Sequence, residues 1–284
     1  MFDAHLDTPA KINLFLAIRG RCDDGYHEID TLFVPLSLSD RVRVTEGGEG
    51  IVLVVEPAIL PTDSRNLVWE AARRCLEGVG FEGGVSIELT KRIPIAAGLG
   101  GGSSDAAATI RLFCRRFPEC SKKARGIAAS LGADVPYFLD PRPAWFGGRG
   151  DRCVRPVGLA SPIELLLVRP RGLQFDTAEI YRRVAPLPVP PRSRMAALIA
   201  AMERGDLAGI CANLHNDLTW ATEGIYPERR AIETALRRHG ALGTGMSGSG
   251  PMIFGIFPDP ASANRAAVAL PRSWERLRTT VLPV

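Results

Sequence analysis

One stretch decides the fold of this chain: Pro94-Ile95-Ala96-Ala97-Gly98-Leu99-Gly100-Gly101-Gly102-Ser103-Ser104-Asp105. Four glycines fall within five positions, whereas an ordinary turn needs only one or two. The helix formers Ala106-Ala107-Ala108 follow directly. The stretch therefore predicts a bare backbone loop that leads into a helix N-terminus. Such a place favours an anion, above all a phosphate, because it combines unpaired N–H groups with the positive end of the helix dipole.

The loop matches neither of the two common phosphate-binding patterns. A Walker A loop requires a lysine directly before the Ser or Thr, and this stretch contains no lysine. A dinucleotide fingerprint requires a third glycine, but counting from Gly98 or Gly100 gives Ser103 or Asp105 there. The alternative interpretation is a flexible linker or a generous helix cap. The apolar neighbours Ile93, Ile95 and Leu99 favour a loop that is anchored to a core.

Size and composition describe a globular protein of one or two domains. The chain has 284 residues, of which 46% are hydrophobic and 23% charged, and its net charge is +4. This excess is too small to indicate nucleic acid or membrane partners, but it suits an anionic small molecule. No apolar run approaches the length of a membrane span, and the first residues lack a signal-peptide pattern. Six scattered cysteines without a CxxC pair predict reduced thiols in a cytoplasmic protein.

Hydrophobic periodicity predicts mixed helices and strands. Strands are expected at 10–18, 41–45, 51–55, 85–89, 163–168 and 252–257, with a glycine-rich turn at 47–50. Helices are expected at 66–76, after the glycine loop as far as Pro118, at 194–204 and at 227–239. Four prolines at 186–191 predict an extended surface connection. A change in the sequence pattern near residue 155 indicates two domains, 1–155 and 156–284, the second with α+β character.

Two short clusters near the N-terminus are candidates for function. Lys11 and Asn13 share one face of the first predicted strand, although a lone strand lysine is usually a solvated side chain. Tyr26 and His27 stand in a turn, where an aromatic ring beside an imidazole could hold a flat polar base by stacking and edge hydrogen bonds. A half-buried tyrosine at a hairpin end is at least as good an explanation of the second cluster.

Two further segments bear on a phosphate site. Asp134 lies among small and apolar residues, and its simplest role is an N-cap followed by Pro136 in the first turn. Near a phosphate it becomes a candidate base that accepts a proton from an attacking hydroxyl. The segment 243–251 is a second glycine-rich loop, which could be a hairpin turn or a second wall around the same phosphates.

Together these clusters resemble the GHMP kinases, the relatives of galactokinase, homoserine kinase, mevalonate kinase and phosphomevalonate kinase. The stretch from Pro94 to Ser104 resembles the central P-x-x-x-G-L-G-[GS]-S-S motif of that family with one extra glycine. Members that phosphorylate a cytidyl-linked methylerythritol in the non-mevalonate isoprenoid pathway carry P-A-K-x-N-L-x-L, D-G-Y-H, G-L-G-G-G-S-S-[DN]-A-A and G-A-D-V-P. This chain shows all four motifs in that order between residues 9 and 136.

The resemblance implies a mechanism and a set of site residues. Asp134 would be the catalytic base, and Lys11 would stabilise the developing charge and keep Asp134 ionised. The substrate side would include Asn13, Tyr26, His27 and either Tyr181 or Phe175 as a second aromatic over the cytosine. ATP and Mg²⁺ would be required, with no protein side chain assigned to the metal. The residues implied for ATP are Pro94, Gly98, Leu99, Gly100, Gly101, Gly102, Ser103 and Ser104 in the loop, with Asn66, Leu67 and Lys91 near the adenine.

The resemblance also implies the architecture. We expect an α+β protein with a two-domain GHMP kinase fold, in which a ribosomal-protein-like N-terminal βαβ domain has a left-handed crossover. A ferredoxin-like C-terminal domain follows it. The expected partner is the small-molecule substrate, without nucleic acid or membrane, and the expected state is a monomer or weak homodimer. The alternatives are another small-molecule GHMP kinase, such as homoserine kinase, and a non-catalytic nucleotide- or RNA-binding protein.

Overall fold

A computed structural model describes residues 2–21, 25–184 and 192–281. The proline-rich connection predicted at 186–191, Cys22 and the first residue of the D-G-Y-H motif lie outside these ranges. The chain forms two compact units that do not follow chain order. The first comprises Met1–Ala10, Leu38–Ile95 and Gly100–Pro141, and the second Lys11–Ser37, Ala96–Leu99 and Arg142–Val284. The domain boundary near residue 155 stays a prediction.

The sheet of the first unit is built on alternating apolar residues. Its strands are β1 (Asp3–Arg21), β2 (His27–Glu46), β3 (Ile51–Glu56) and β4 (Val85–Thr90), of which β1 and β2 also extend into the second unit. The strand order is β3-β4-β2-β1, with β2 antiparallel and β3 parallel to β4. The turn at 47–50 therefore joins two strands that are not neighbours, since β4 lies between them.

Helices complete the first unit: α1 (Leu67–Val79), α2 (Gly101–Arg116), α3 (Ala124–Leu131) and α4 (Val135–Phe138), with a 3₁₀ turn at Pro118–Lys122. Asn66 caps α1, because its side chain accepts the Val68 amide, and Gly80 ends that helix in the left-handed conformation. The sequence placed the start of α2 at the alanine run, which was too late. The helix begins at Gly101, so the last two glycines of the run lie in its first turn.

The further strands are β5 (Ala144–Gly147), β6 (Arg152–Pro156), β7 (Ile163–Pro170), β8 (His215–Asn216), β9 (Gly243–Met246), β10 (Ile253–Phe257) and β11 (Trp274–Val281). The second unit contains a four-stranded antiparallel sheet of order β11-β7-β10-β9. Its other strand pairs join β5 to β2 and β6, and β8 to β1 in parallel. The helices are α5 (Thr177–Arg182), α6 (Arg192–Arg204), α7 (Leu207–Asn213), α8 (Leu218–Ala221), α9 (Glu228–Arg238) and α10 (Pro260–Ala269).

The core of the second unit lies between the sheet and its helices. Leu166, Val168 and Phe257 from the sheet pack with Ile232 and Leu236 from α9, and all five are fully buried. The predicted strand at 163–168 and the predicted helix at 227–239 are thereby confirmed. The five described cysteines are free thiols. Within residues 2–21, 25–184 and 192–281, no helix has the length and apolar character needed to cross a bilayer.

Candidate active site

Lys11 and Asn13 lie side by side on β1 in the second unit. Both are nearly inaccessible, with 4% and 3% of their surface exposed, so Lys11 is not the solvated side chain of the simpler interpretation. The Lys11 ammonium donates to Asn13 Oδ1 at 2.9 Å and to the Gly98 carbonyl at 3.1 Å. Asn13 Nδ2 in turn donates to Thr31 Oγ1 at 2.7 Å. The two predicted side chains therefore form one ordered group with the start of the glycine loop.

The second glycine-rich loop meets the first at Gly98. Ser247 Oγ donates to the Gly98 carbonyl at 2.8 Å, so this oxygen accepts from both Ser247 and Lys11. Gly98 has φ +74°, and a Cβ there would lie 2.2 Å from the Ser247 carbonyl oxygen. Only glycine fits such a close approach of two backbones. The interpretation of 243–251 as a second wall beside the first loop agrees with this contact.

The predicted cytosine residues lie in the second unit as well. The rings of His27 and Tyr181 are 5.5 Å apart, whereas Phe175 packs edge-on against Tyr226 at 5.4 Å. Tyr26 is 58% exposed, and the Arg149 guanidinium lies 4.3 Å from its ring centre. Burial, and then the charge of Arg21, lower the pKa of His27, which keeps the imidazole neutral with one donor and one acceptor.

In the first unit, the first turn of α2 presents backbone N–H groups that have no acceptor within the helix. The first bond within the helix runs from the Ser104 amide to the Gly100 carbonyl at 2.9 Å, so the N–H groups of Gly101 to Ser103 have no acceptor inside the helix. Ser104 is fully buried and donates from Oγ to the Pro9 carbonyl at 2.6 Å. Ser103 is partly accessible. Of the two predicted hydroxyls, Ser103 is therefore the accessible one, and Ser104 anchors the loop.

Lys91 lies in a buried ion cluster. Its ammonium donates to Asp40 and, at 2.7 Å, to Asp105. Burial raises the pKa of Asp105 to about 8, against the lowering effect of Lys91, and its Oδ1 has no hydrogen-bond partner in the described chain. A Cβ on Gly101 would lie 3.3 Å from the Lys91 ammonium, so the cluster lies directly beneath the first turn of α2. The sequence offered no signal for this arrangement, because the three residues are far apart in the chain.

The other residues implied for the adenine lie nearby in the first unit. Asn66 uses its amide for the α1 cap and for the Pro61 carbonyl, at 2.8 Å. Leu67 is the nearest neighbour of the space above Gly102, where a Cβ would lie 3.8 Å from its side chain. The structure thus brings Leu67, Lys91 and Gly101–Gly102 into one region, in which the Asn66 and Lys91 side chains have structural partners.

Asp134 occupies the N-cap position of α4, as the simpler interpretation predicted, with Pro136 in the first turn. Its side chain nevertheless makes no capping hydrogen bond. The residue therefore has the position of a cap without the function of one. Asp134 belongs to the first unit and Lys11 to the second.

Sequence reasoning missed the segment His215-Asn216-Asp217. Asn216 Nδ2 donates to the carbonyls of Met246 and Gly248, both at 2.8 Å, within the second glycine-rich loop. A cluster of three polar residues between two helices was the available signal. Among the described residues, no group of three acidic, histidine or cysteine side chains is arranged to hold a metal ion.

Comparison with known proteins identifies the class. The family described as "GHMP kinases N terminal domain" matches residues 66–141, and "GHMP kinases C terminal" matches residues 198–276. A homoserine kinase structure from Cytophaga hutchinsonii has a TM-score of 0.73 over 99% of this chain and 95% of its own, at 18% identity. This likeness concerns the fold alone. The chain belongs to the GHMP kinases, and the expected two-domain α+β fold of that family is confirmed.

Within that class, similarity to one group is much higher. A 4-diphosphocytidyl-2-C-methyl-D-erythritol kinase from Thermus thermophilus is 40% identical over 95% of this chain and 93% of its own. The protein of that name from Pelotomaculum thermopropionicum is 39% identical over 95% of both chains. A crystal structure of a 4-(cytidine 5'-diphospho)-2C-methyl-D-erythritol kinase has a TM-score of 0.84 and 38% identity over 98% of both chains. The chain belongs to the 4-diphosphocytidyl-2-C-methyl-D-erythritol kinase family.

Proposed function

We propose that this protein transfers the γ-phosphate of ATP to the 2-hydroxyl of 4-diphosphocytidyl-2-C-methyl-D-erythritol, in the non-mevalonate isoprenoid pathway. The observation that carries the proposal is the ordered group of Lys11, Asn13 and Gly98 in a chain that also holds His27 beside Tyr181. This combination provides a charge for a phosphate and an aromatic grip for a base. The named activity of the relatives supports the same conclusion.

Each residue of the proposed site has a separate role in phosphoryl transfer. Asp134 accepts the proton of the attacking hydroxyl, and Lys11 stabilises the negative charge that develops during transfer. The N–H groups of Gly101 to Ser103, which have no acceptor inside the helix, hold the phosphates at the helix N-terminus. Mg²⁺, when bound, neutralises phosphate oxygens, and we assign it no protein ligand. His27 reads the cytosine edge, and its neutral imidazole suits that role because it offers both a donor and an acceptor.

The position of Tyr181 favours it over Phe175 as the second aromatic. Tyr181 lies beside His27, whereas Phe175 is engaged with Tyr226. The simplest alternative, a homoserine kinase, needs the phosphate loop and the base but has no use for this aromatic group. A cytoplasmic location and a monomeric or weakly dimeric state stay predictions.

The proposal is tested by supplying ATP with either the cytidyl substrate or homoserine and measuring the phosphorylated product. We expect turnover of the cytidyl substrate alone, and Asp134→Asn should abolish it while ATP binding persists. Asp206→Asn is the matched control, because Asp206 is an N-cap that does bond its helix, and asparagine caps equally well. Phosphorylation of homoserine but not the cytidyl alcohol would refute the assigned substrate. Unchanged turnover in Asp134→Asn would refute the assigned base.

A further inference from the structure

We propose that Asn216 is a positioning residue for phosphoryl transfer, which it serves by fixing the second glycine-rich loop, residues 243–251, beside Lys11. The role in transfer rests on the proposed function. The hydrogen bonds from which the role is argued are observed independently of the proposed function. Every residue that forms them belongs to the second unit.

Both the Nδ2 and the Oδ1 atom of the Asn216 side chain form hydrogen bonds. Its amide Nδ2 donates to the carbonyls of Met246 and Gly248, each at 2.8 Å. Its Oδ1 accepts the Leu218 amide at 2.9 Å, at the start of α8. A side chain that donates two bonds and accepts a third must be an amide, because a carboxylate donates none and a hydroxyl donates only one. The residue type is thus explained by the two loop carbonyls.

Asn216 is itself held to the strand that carries Lys11. β8 pairs in parallel with β1, where Asn216 stands opposite Leu16. The next residue strengthens the attachment, since the Asp217 amide donates to the Leu16 carbonyl at 3.0 Å and its carboxylate accepts the Ile18 amide at 2.7 Å. His215 Nε2 lies 2.7 Å from the other carboxylate oxygen. We call this segment, His215 to Asp217, the clip, because it connects β1 with the glycine-rich loop.

The loop fixed by the clip borders the Lys11 ammonium. Gly248 has φ +54°, and a Cβ there would lie 3.3 Å from Lys11 Nζ and 3.4 Å from Asn13 Oδ1. The adjacent Ser247 donates to the Gly98 carbonyl, which also accepts from Lys11. A shift of this loop therefore moves both the wall beside the ammonium and one of the groups that orient it. Displacements of about 1 Å in a catalytic group reduce rates up to about 100-fold.

Two variants separate positioning from a purely structural role. Asn216→Asp keeps the shape and the oxygen that caps the start of α8 by accepting the Leu218 amide, although Asp217 is the N-cap residue, but it replaces the donor facing the two carbonyls by an acceptor. Asn216→Ala removes both functions. Asn213→Ala is the matched control, because Asn213 Nδ2 donates to a carbonyl in its own helix, Gly209, at 2.8 Å. If capping were the whole role, Asn216→Asp would resemble the unmodified protein.

We expect Asn216→Asp to lower kcat about 10-fold to 100-fold with little change in the KM for ATP, and Asn213→Ala to leave both unchanged. As the pH falls, protonation of the introduced carboxyl restores one donor, so kcat relative to the unmodified protein should rise. A capping role would not produce this pH dependence. Unchanged kcat in Asn216→Asp, together with a loss in Asn216→Ala, would overturn the proposal.

Hydrogen exchange of the loop amides provides a readout that needs no substrate. The clip borders an open cavity of about 550 Å³, so solvent can reach the loop once its carbonyls are released. Exchange over residues 245–250 should be faster in Asn216→Asp than in Asn213→Ala, and equal rates would overturn the proposal.

If the unmodified protein fails to phosphorylate the cytidyl substrate, the proposed function fails while this result still decides the role of Asn216. Should Asn216→Asp not fold, Asn216→Ser, which retains a capping oxygen without the charge, is measured in the same way.

Discussion

Replacing Gly98 by alanine tests whether the contact between the two glycine-rich loops is essential. A Cβ at this position would lie 2.2 Å from the Ser247 carbonyl oxygen, about 1 Å closer than a carbon and an oxygen normally approach. Because the obstacle is backbone, no side-chain rotation can relieve it, and the loops must separate. The hydrogen bonds that Gly98 accepts from Lys11 and Ser247 then lengthen or break.

The magnitude follows from two separable costs. The left-handed conformation, at φ +74°, costs an alanine about 1 kcal/mol. Each weakened hydrogen bond adds about 1 kcal/mol, so the free energy of unfolding should fall by about 2–3 kcal/mol in total. Displacement of the Lys11 group by about 1 Å should lower kcat on the order of 100-fold.

Gly80→Ala provides the matched control. Gly80 has φ +66°, close to that of Gly98, but a Cβ there would meet nothing within 4 Å. The free energy of unfolding of Gly80→Ala should therefore fall by only about 1 kcal/mol, the conformational cost, and its kcat should equal that of the unmodified protein. Urea unfolding and steady-state kinetics of the two variants give the comparison. Equal losses of stability and equal kcat in both would refute the reasoning, since conformation alone would then explain the glycine.

Two other substitutions test separate parts of the molecule. Asp105→Asn removes a carboxyl whose pKa in the folded protein, about 8, is raised above its ordinary value. The stability that this carboxyl contributes is therefore present at acidic pH and is lost as the pH rises from about 4 to about 8. The free energy of unfolding of the unmodified protein should therefore fall relative to the variant between pH 5 and 8.5 by at least about 1 kcal/mol, the equivalent of one pKa unit, and parallel pH curves would contradict this. Tyr181→Ala should raise the KM for the cytidyl substrate about 10-fold or more while the KM for ATP stays constant, because stacking on a base contributes about 1–3 kcal/mol. Phe175→Ala is its control, and a larger rise in that variant would transfer the role to Phe175.

Local sequence patterns predicted six of the eleven described strands and four of the ten described α-helices, because those elements depend on nearby residues. The amphipathic spacing of α1 and the alternation of β4 follow from periods of 3.6 and 2. The pairing of β3 with β4 does not, because the turn at 47–50 suggests a neighbour in sequence while the sheet places β4 between β2 and β3. Strand order depends on long-range packing, which no single segment encodes.

In the candidate site, too, the sequence indicated individual residues but not the contacts between them. Lys11 and Asn13 could be selected from their spacing on a strand, but the hydrogen bond from Lys11 to Gly98 joins residues 87 positions apart. The Asp40–Lys91–Asp105 cluster joins three segments in which Lys91 lies 51 positions from Asp40 and 14 from Asp105, and each member alone resembles an ordinary surface charge. Asn216 was missed because a single asparagine between two helices is normally a turn residue. Burial and partner identity, which make these residues unusual, exist only in the folded chain.

The four glycines at 98–102 have different structural reasons: Gly100 has a left-handed φ of +70°, and Gly102 is the one that neither packing nor conformation explains. Gly98 is required by the Ser247 carbonyl, and at Gly101 a Cβ would crowd the Ile93 and Lys91 side chains at 3.0–3.3 Å. Gly102 has neither constraint, since it is helical and a Cβ would meet only Leu67, at an ordinary 3.8 Å. Alanine there would favour the helix by about 1 kcal/mol. We propose that Gly102 instead serves a group outside the chain that approaches the backbone closely, and the N–H groups of Gly101 to Ser103, which have no acceptor inside the helix, favour a phosphate in that place.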